Sequence, residues 1–388
     1  MNSLINQAQK YYSTIKTLRH AIHEEPELGF EEFKTAEKVK TFLDSIGVDY
    51  VDGVAKTGVV ATIKGKFPGK TILLRADMDA LAMDEDPHHT LKSKVKGKMH
   101  ACGHDGHTAG LCLSAAVLNE MKDDISGTIK FMFQPAEEAD GGAYPMIKEG
   151  VLDGVDGAFG AHLWGSSPEG VVSIKYGAMM ASPDNFRITV KGLGGHGSAP
   201  QLAIDPILIA SQIVVSLQTI ISRKVSPLES CVITVGKFHG GTAPNIIPEE
   251  VILEGTLRTL NNDVRKVVPN QMKELVETLA KSYGGSAQFE YLPGYPVLVN
   301  DERMTRITHK ALKEFVSDDK IRIVEKPDMG GEDFAYIAQT VPSNFIYVGI
   351  MKDKPISHHH PDFNFDDQNL KVISETLIRS ALTFLGEN

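Results

Sequence analysis

Four short clusters carry the residue types from which metal sites and catalytic nucleophiles are built. They are Arg75-Ala76-Asp77-Met78-Asp79, His100-Ala101-Cys102-Gly103-His104-Asp105, Gln134-Pro135-Ala136-Glu137-Glu138 and His358-His359-His360-Pro361. In Cys102-Gly103-His104, a thiolate and an imidazole two residues apart can reach one divalent ion, with a softness that suits zinc and its neighbours. The same pair could instead be a nucleophilic cysteine with a histidine base, or a buried cysteine beside a structural histidine. Adjacent acids such as Glu137 and Glu138 are ordinarily a solvated pair. Here Gln134-Pro135 forces a turn just before them, and consecutive loop residues can point different ways. One carboxylate can then hold a metal while its neighbour serves as a general base.

These clusters fall at the ends of apolar runs. Asp77 follows the strand-like Thr71–Leu74, Glu137 follows Thr128–Phe133, and His162 closes Gly157–Ala161. Loops leaving the C-terminal edge of a parallel sheet are where α/β proteins place ligands. Asp77 and Asp79 flank Met78, and either could support the site or simply cap a turn. Of the three consecutive histidines, at most two can point inward. Cys102, His104, Glu138, His162 and one of the histidine run together make five ligands. That number fits two ions sharing a bridge better than one four-ligand structural zinc. Gly192-Leu193-Gly194-Gly195-His196-Gly197 matches a dinucleotide-binding pattern. Pro200 interrupts the helix that the motif requires, so the glycines are read as letting a loop carry His196 close to a partner.

The elements that must position these residues alternate between helix and strand over the first half of the chain. A helix is expected over residues 30–46, stopped by Gly47, and another over 106–121. The texture changes near Ser182-Pro183. From there Phe186–Val190, Val232–Phe238, Val251–Leu257 and Ala287–Tyr291 read as strands, with helices over Ala203–Ile221 and Asp263–Tyr283. This strand-helix-strand-strand-helix-strand order describes a small α+β sandwich. After Pro293 the α/β texture returns and ends in a helix over Leu370–Phe384. The expected fold is therefore an α/β catalytic domain, residues 1–184 and 294–388, with a mixed sheet flanked by helices. A ferredoxin-like α+β domain, residues 185–293, is inserted into it.

Composition narrows the partners. The chain has 388 residues, 42% hydrophobic and 23% charged, with a formal net charge of −10. That balance suits a globular protein and argues against nucleic acid, whose phosphates require a concentration of Lys and Arg. The opening residues hold no apolar signal region, and no run approaches eighteen uninterrupted apolar residues, so no membrane partner is expected. Three cysteines without framework spacing fit a reducing cytoplasm.

The assembled motifs resemble the hippurate hydrolase and indole-acetyl-amino-acid hydrolase branch of the dinuclear aminoacylase/carboxypeptidase superfamily. The likeness runs nearly end to end, through Arg19-His20-x-x-His23-x-x-Pro26-Glu27-Leu28-Gly29-Phe30, RADMDAL from Arg75, MHACGHDGHT from Met99 and FQPAEE from Phe133. It continues through GGHGSAP from Gly194, APNIIP from Ala243 and His359-His360-Pro361-x-Phe363. The resemblance implies two divalent ions, zinc or manganese, with nickel and cobalt as family alternatives. It implies Cys102, His104, Glu138, His162 and His359 as ligands, Cys102 as the bridge and Glu137 as general base. Asp77 or Asp79 takes a supporting role, and His358 stands where the family usually has an apolar residue. The inserted domain resembles a lid and dimerisation domain, in which His196, Asn245 and Arg258 meet the substrate and His196 often serves the partner subunit. The implied activity is hydrolysis of N-acyl-L-amino acids by a homodimer. A diaminopimelate deacetylase or dipeptidase is the alternative within the family, and a cysteine-nucleophile hydrolase the alternative outside it.

Overall fold

The computed structural model describes residues 2–139 and 141–387. The chain divides into two compact units, Met1–Gly177 with Val299–Lys326 and Asp333–Asn388, and Ala178–Leu298 with Pro327–Glu332. The second takes in residues on both sides of 185–293; among them Ser182–Asp184, too polar to read as strand, pairs with Leu257–Thr259.

In the first unit an eight-stranded sheet has the order Tyr50–Val54, Gly58–Lys64, Ser126–Gln134, Phe67–Asp77, Gly157–Pro168, Ser343–Met351, Val172–Ile174, Ile321–Ile323. The central four strands, from Ser126–Gln134 to Ser343–Met351, run parallel to one another and are flanked by antiparallel neighbours, Gly58–Lys64 and Val172–Ile174. Parallel strands are covered on both faces, and these are nearly continuous buried runs, as in Ser343–Met351, where only Met351 is partly exposed. The helices Asn2–Glu24, His104–Glu120 and Asn369–Leu385 pack against one another, and the last two lie on the sheet. The His104–Glu120 helix is buried through Leu118, so it sits at the middle of the layer. The opening helix Asn2–Glu24 has no counterpart in the sequence reading.

One strand differs from expectation. His162 does not end its strand, which runs on to Pro168. Pairing with Phe67–Asp77 stops at Gly160, whereas pairing with Ser343–Met351 continues through Pro168. The second neighbour carries the strand past the point where its apolar run ends.

The second unit is a four-stranded antiparallel sheet, ordered Cys231–Gly240, Glu250–Thr259, Ser182–Lys191, Ser286–Leu292. The helices Pro206–Arg223 and Asn262–Ser282 bury Ile209, Ile213, Leu217, Val268, Met272 and Val276 against it. Both helices begin on a side-chain cap: Asp205 accepts from Ile207 N at 2.9 Å and Asn261 from Asp263 N at 2.8 Å. Pro206–Arg223 is long and apolar enough to cross a membrane by length and composition. The search for an uninterrupted apolar run passes over it because Ser and Gln break the run.

Candidate active site

The C-terminal ends of the parallel strands bring the first-unit residues together. Cys102 Sγ lies 3.4 Å from His162 Nε2, His359 Nε2 lies 2.9 Å from Glu138 Oε1, and His104 Nε2 lies 3.9 Å from the same oxygen. Of five sets whose donor atoms fall within 4.8 Å of one another among the described residues, three combine Cys102, Glu137 or Glu138 with the histidines: Cys102, His104 and His162; Cys102, Glu138 and His359; His104, Glu137 and Glu138. Cys102 is common to the first two.

Two of the imidazoles, His104 and His162, are aimed by their other nitrogen. Gly103 takes a left-handed φ of 89°, which a side chain would resist, and the helix starts at once with His104. His104 Nδ1 donates to the Asp79 carbonyl at 2.9 Å and faces Asp79 Oδ1 at 3.2 Å, leaving Nε2 turned to the cluster. Asp79 Oδ2 accepts the Glu138 amide N–H at 2.9 Å, so a single carboxylate steadies two neighbouring groups. Asp77 is engaged elsewhere. It accepts from His107 Nδ1 at 2.6 Å and Arg75 Nη1 at 2.7 Å, and its Oδ2 stands 3.8 Å from His104 Nε2.

His162 is held through the peptide of Leu163. Past Gly160 the strand has lost its Phe67–Asp77 neighbour, and backbone polar groups left without a ladder need other partners. Leu163 N–H donates to His107 Nε2 at 2.9 Å, and the Leu163 carbonyl accepts from His162 Nδ1 at 2.8 Å and His358 Nε2 at 3.0 Å. The His358 Nε2 is thereby committed to a backbone carbonyl, and its ring packs among His162, Trp164 and Phe363. His360 is exposed and accepts from Asp362 N. His359 is the member of the run that reaches Glu138, from a left-handed backbone at φ 56°. Trp164 stacks on Tyr347 at 3.9 Å and lies edge-on to His162 at 5.5 Å.

Glu137 is 6% exposed and follows Ala136, another left-handed non-glycine residue at φ 53°. Such backbone is disfavoured for L residues and tends to gather at functional sites. Gly29 packs beneath it, and a Cβ there would stand 3.0 Å from Ala136 Cβ.

A buried layer not deduced from spacing supports the start of the His104 helix. Arg19 Nε and His23 Nδ1 both donate to Asp105 Oδ2, at 3.0 and 2.9 Å, and His23 Nε2 donates to Glu85 Oε1 at 3.0 Å. Burial opposes charge on His23, but Asp105 and Glu85 outweigh it and raise the imidazole to about 9. The Arg19–Gly29 motif was the signal for this layer.

Residues 73–383 match the model of peptidase family M20/M25/M40. The chain is 37% identical over 376 residues to the N-acetylcysteine deacetylase of Bacillus subtilis, covering 97% of this chain and 98% of that one. It is 46% identical over 286 residues to the N-acyl-L-amino acid amidohydrolase of Geobacillus stearothermophilus, covering 73% and 77%. The crystal structure of a Bacillus subtilis dinuclear metal-binding peptidase of the M20 family superposes with a TM-score of 0.86 at 34% identity, over 98% and 99% of the two chains. The chain belongs to peptidase family M20/M25/M40. Among these relatives it is a metallo-amidohydrolase.

The donor set of this M20 chain suits cations. Burial raises the Cys102 thiol well above its ordinary range, and the charges of Glu138, Glu137 and Asp77 add to the effect. A thiol so disfavoured as an anion is a poor nucleophile, whereas a cation at the same point would favour the thiolate. Burial opposes charge on His104 too, yet Asp77, Asp79 and Glu138 lift it to about 10, so the carboxylates call for positive charge there. Burial and nearby histidines hold His162 well below its ordinary value, the neutral form a ligand needs. His104 Nε2 is buried with no hydrogen-bond partner among the described residues. The residues fit a pair of divalent ions.

The second unit of the M20 chain holds the other three expected residues. His196 is exposed on the short strand Gly195–His196, which pairs with Ile246–Ile247, and Asn245 is exposed in the turn just before that partner strand; Gly197 N donates to the Asn245 carbonyl at 2.8 Å and Ser198 Oγ lies 2.9 Å from His196 Nδ1. Arg258 lies far along the Glu250–Thr259 strand, partly buried, and its Nη1 has no partner among the described residues.

Proposed function

We propose that the chain cleaves the amide bond of small N-acyl-L-amino acids, N-acetyl or hippurate-like, with two divalent ions held by Cys102, His104, Glu138, His162 and His359. The observation that carries this reading is the sharing of Cys102 between two donor triads beside the buried Glu137. Ions bound there supply Lewis acidity to water and to the scissile carbonyl. Zinc matches the soft sulfur and imidazole donors, with manganese, nickel and cobalt as the other candidates.

Glu137 accepts the proton of the attacking water and passes it to the leaving amine nitrogen. Asp79, in contact with both His104 and Glu138, is the supporting carboxylate, and Asp77 holds His107. Arg258, whose guanidinium has a donor to spare, takes the free carboxylate of the amino-acid half, and Asn245, which lies beside His196, reaches that carboxylate from the partner subunit. His196 stabilises the oxyanion.

His196 adjoins the Glu250 end of its sheet, while Arg258 lies eight residues along the same strand, about 26 Å at the rise of extended chain. One small substrate cannot span both, so His196 serves a partner subunit and the working form is a homodimer. Three free, buried cysteines are consistent with a reducing, cytoplasmic setting.

A panel of N-acyl amino acids, assayed after chelation and with each metal restored in turn, tests the reading. Glu137→Gln in the same assay is expected to keep its metal and lose on the order of a hundredfold or more in turnover. Activity that survives exhaustive chelation would return Cys102 to the role of nucleophile.

A further inference from the structure

The turn that carries Glu137 is fastened by a residue that takes no part in the reaction described above. Glu32 is fully buried. One of its carboxylate oxygens accepts the Ala136 amide N–H at 2.8 Å, and the other accepts the Thr57 hydroxyl at 2.6 Å. Burial pushes the Glu32 carboxyl up to about 7, against the pull of Thr57. A buried acid that is costly to ionise, with both oxygens committed, is placed to hold something.

What it holds is the left-handed Ala136. The Ala136 carbonyl is fixed from the other side by the amides of Gly141 and Gly142, both at 3.1 Å. Return of Ala136 to an ordinary negative φ would rotate the peptide that Glu32 grips and swing the next side chain, Glu137. The adjacent Glu138 has a separate anchor, because its own amide is held by Asp79. Two outlying carboxylates thus steady the two acids of one dipeptide individually.

We propose that Glu32 is a positioning residue for Glu137, holding Ala136 in the left-handed conformation that directs the base into the site. This rests on the reading of Glu137 as the general base. Glu32 sets proton transfer while Asp79 sets metal retention, so the two functions of Glu137-Glu138 can be separated by mutation outside the dipeptide.

The test compares Glu32→Met, Glu32→Gln, Glu32→Met with Ala136→Gly, and Glu137→Gln by kcat, KM and bound metal per subunit. Methionine keeps the buried volume but accepts no hydrogen bond from Ala136, and glutamine keeps the acceptor. Glu32→Met is expected to lower kcat roughly 10- to 100-fold, as for loss of a supporting contact, with KM and metal content unchanged. Glu32→Gln should stay near wild type. Adding Ala136→Gly should recover much of the loss, because glycine adopts positive φ without an anchor. Wild-type kcat in Glu32→Met, alongside an inactive Glu137→Gln, overturns the anchor alone. Metal loss in step with kcat in Glu32→Met also overturns it. An active Glu137→Gln overturns the base assignment and this inference with it.

Discussion

In the first unit the groups around Cys102 are anchored on the side away from the cluster: His104 and His162 are each pinned through Nδ1, Glu138 through its amide, and Asp77 through His107 and Arg75. In the second unit Arg258 keeps a buried donor in reserve, and His196 and Asn245 face solvent. The difference follows from what each set has to meet. Ligands of a metal ion gain affinity when their orientation is fixed beforehand by outer hydrogen bonds. Groups that meet a substrate arriving from water need open donors. An unsatisfied guanidinium costs the free protein stability, and a bound carboxylate returns it.

Breaking the first unit should give the larger effects. Asp79→Asn is expected to weaken metal binding about 10- to 100-fold, measured by competition with a chromophoric chelator, because His104 and Glu138 lose their common anchor. Asp77→Asn should weaken it less, since its firmest contacts are with His107 and Arg75. The reverse order would exchange their roles. Arg258→Ala in the second unit should raise KM for N-acyl amino acids roughly tenfold or more with kcat little changed, as for loss of a charge-assisted hydrogen bond. A substrate with its carboxylate esterified should be indifferent to that change; equal sensitivity would remove Arg258 from the carboxylate.

The smallest effect on catalysis belongs to the buried layer under the His104 helix. His23 is raised from 6.5 to about 9 in the folded chain, so the folded state binds its proton more tightly than the unfolded chain does. Its contribution is complete below pH 6.5 and disappears as pH rises through 9, a change of up to roughly 3 kcal/mol by proton linkage. Denaturant unfolding of His23→Gln should lose that slope between pH 6.5 and 9. An unchanged slope would mean that His23 is neutral and that Arg19 alone balances Asp105.

Much of this was legible in the sequence. Thr71–Leu74 and Thr128–Phe133 are apolar runs ending on charged motifs, and they are the strands that present Asp77 and Glu137. The four strands of the larger sheet and the two long helices of the second unit follow their apolar patterns. Glu32 and His107 were not legible as supports, because a side chain that grips a distant backbone amide leaves no periodic trace. His358 illustrates the same blindness. Its neighbour His359 has identical chemistry, and only the competing demand of the Leu163 carbonyl separates the two. The full length of the His162 strand was hidden because its second half is set by a neighbour about 180 residues away in sequence.

Trp164 is the chain's single tryptophan. Lying between Tyr347 and His358 with its edge toward His162, it is a built-in optical probe of the cluster. Filling or emptying the position beside His162 changes the field at one indole and at no other. Intrinsic fluorescence can therefore follow occupancy in real time, without a label and without turnover.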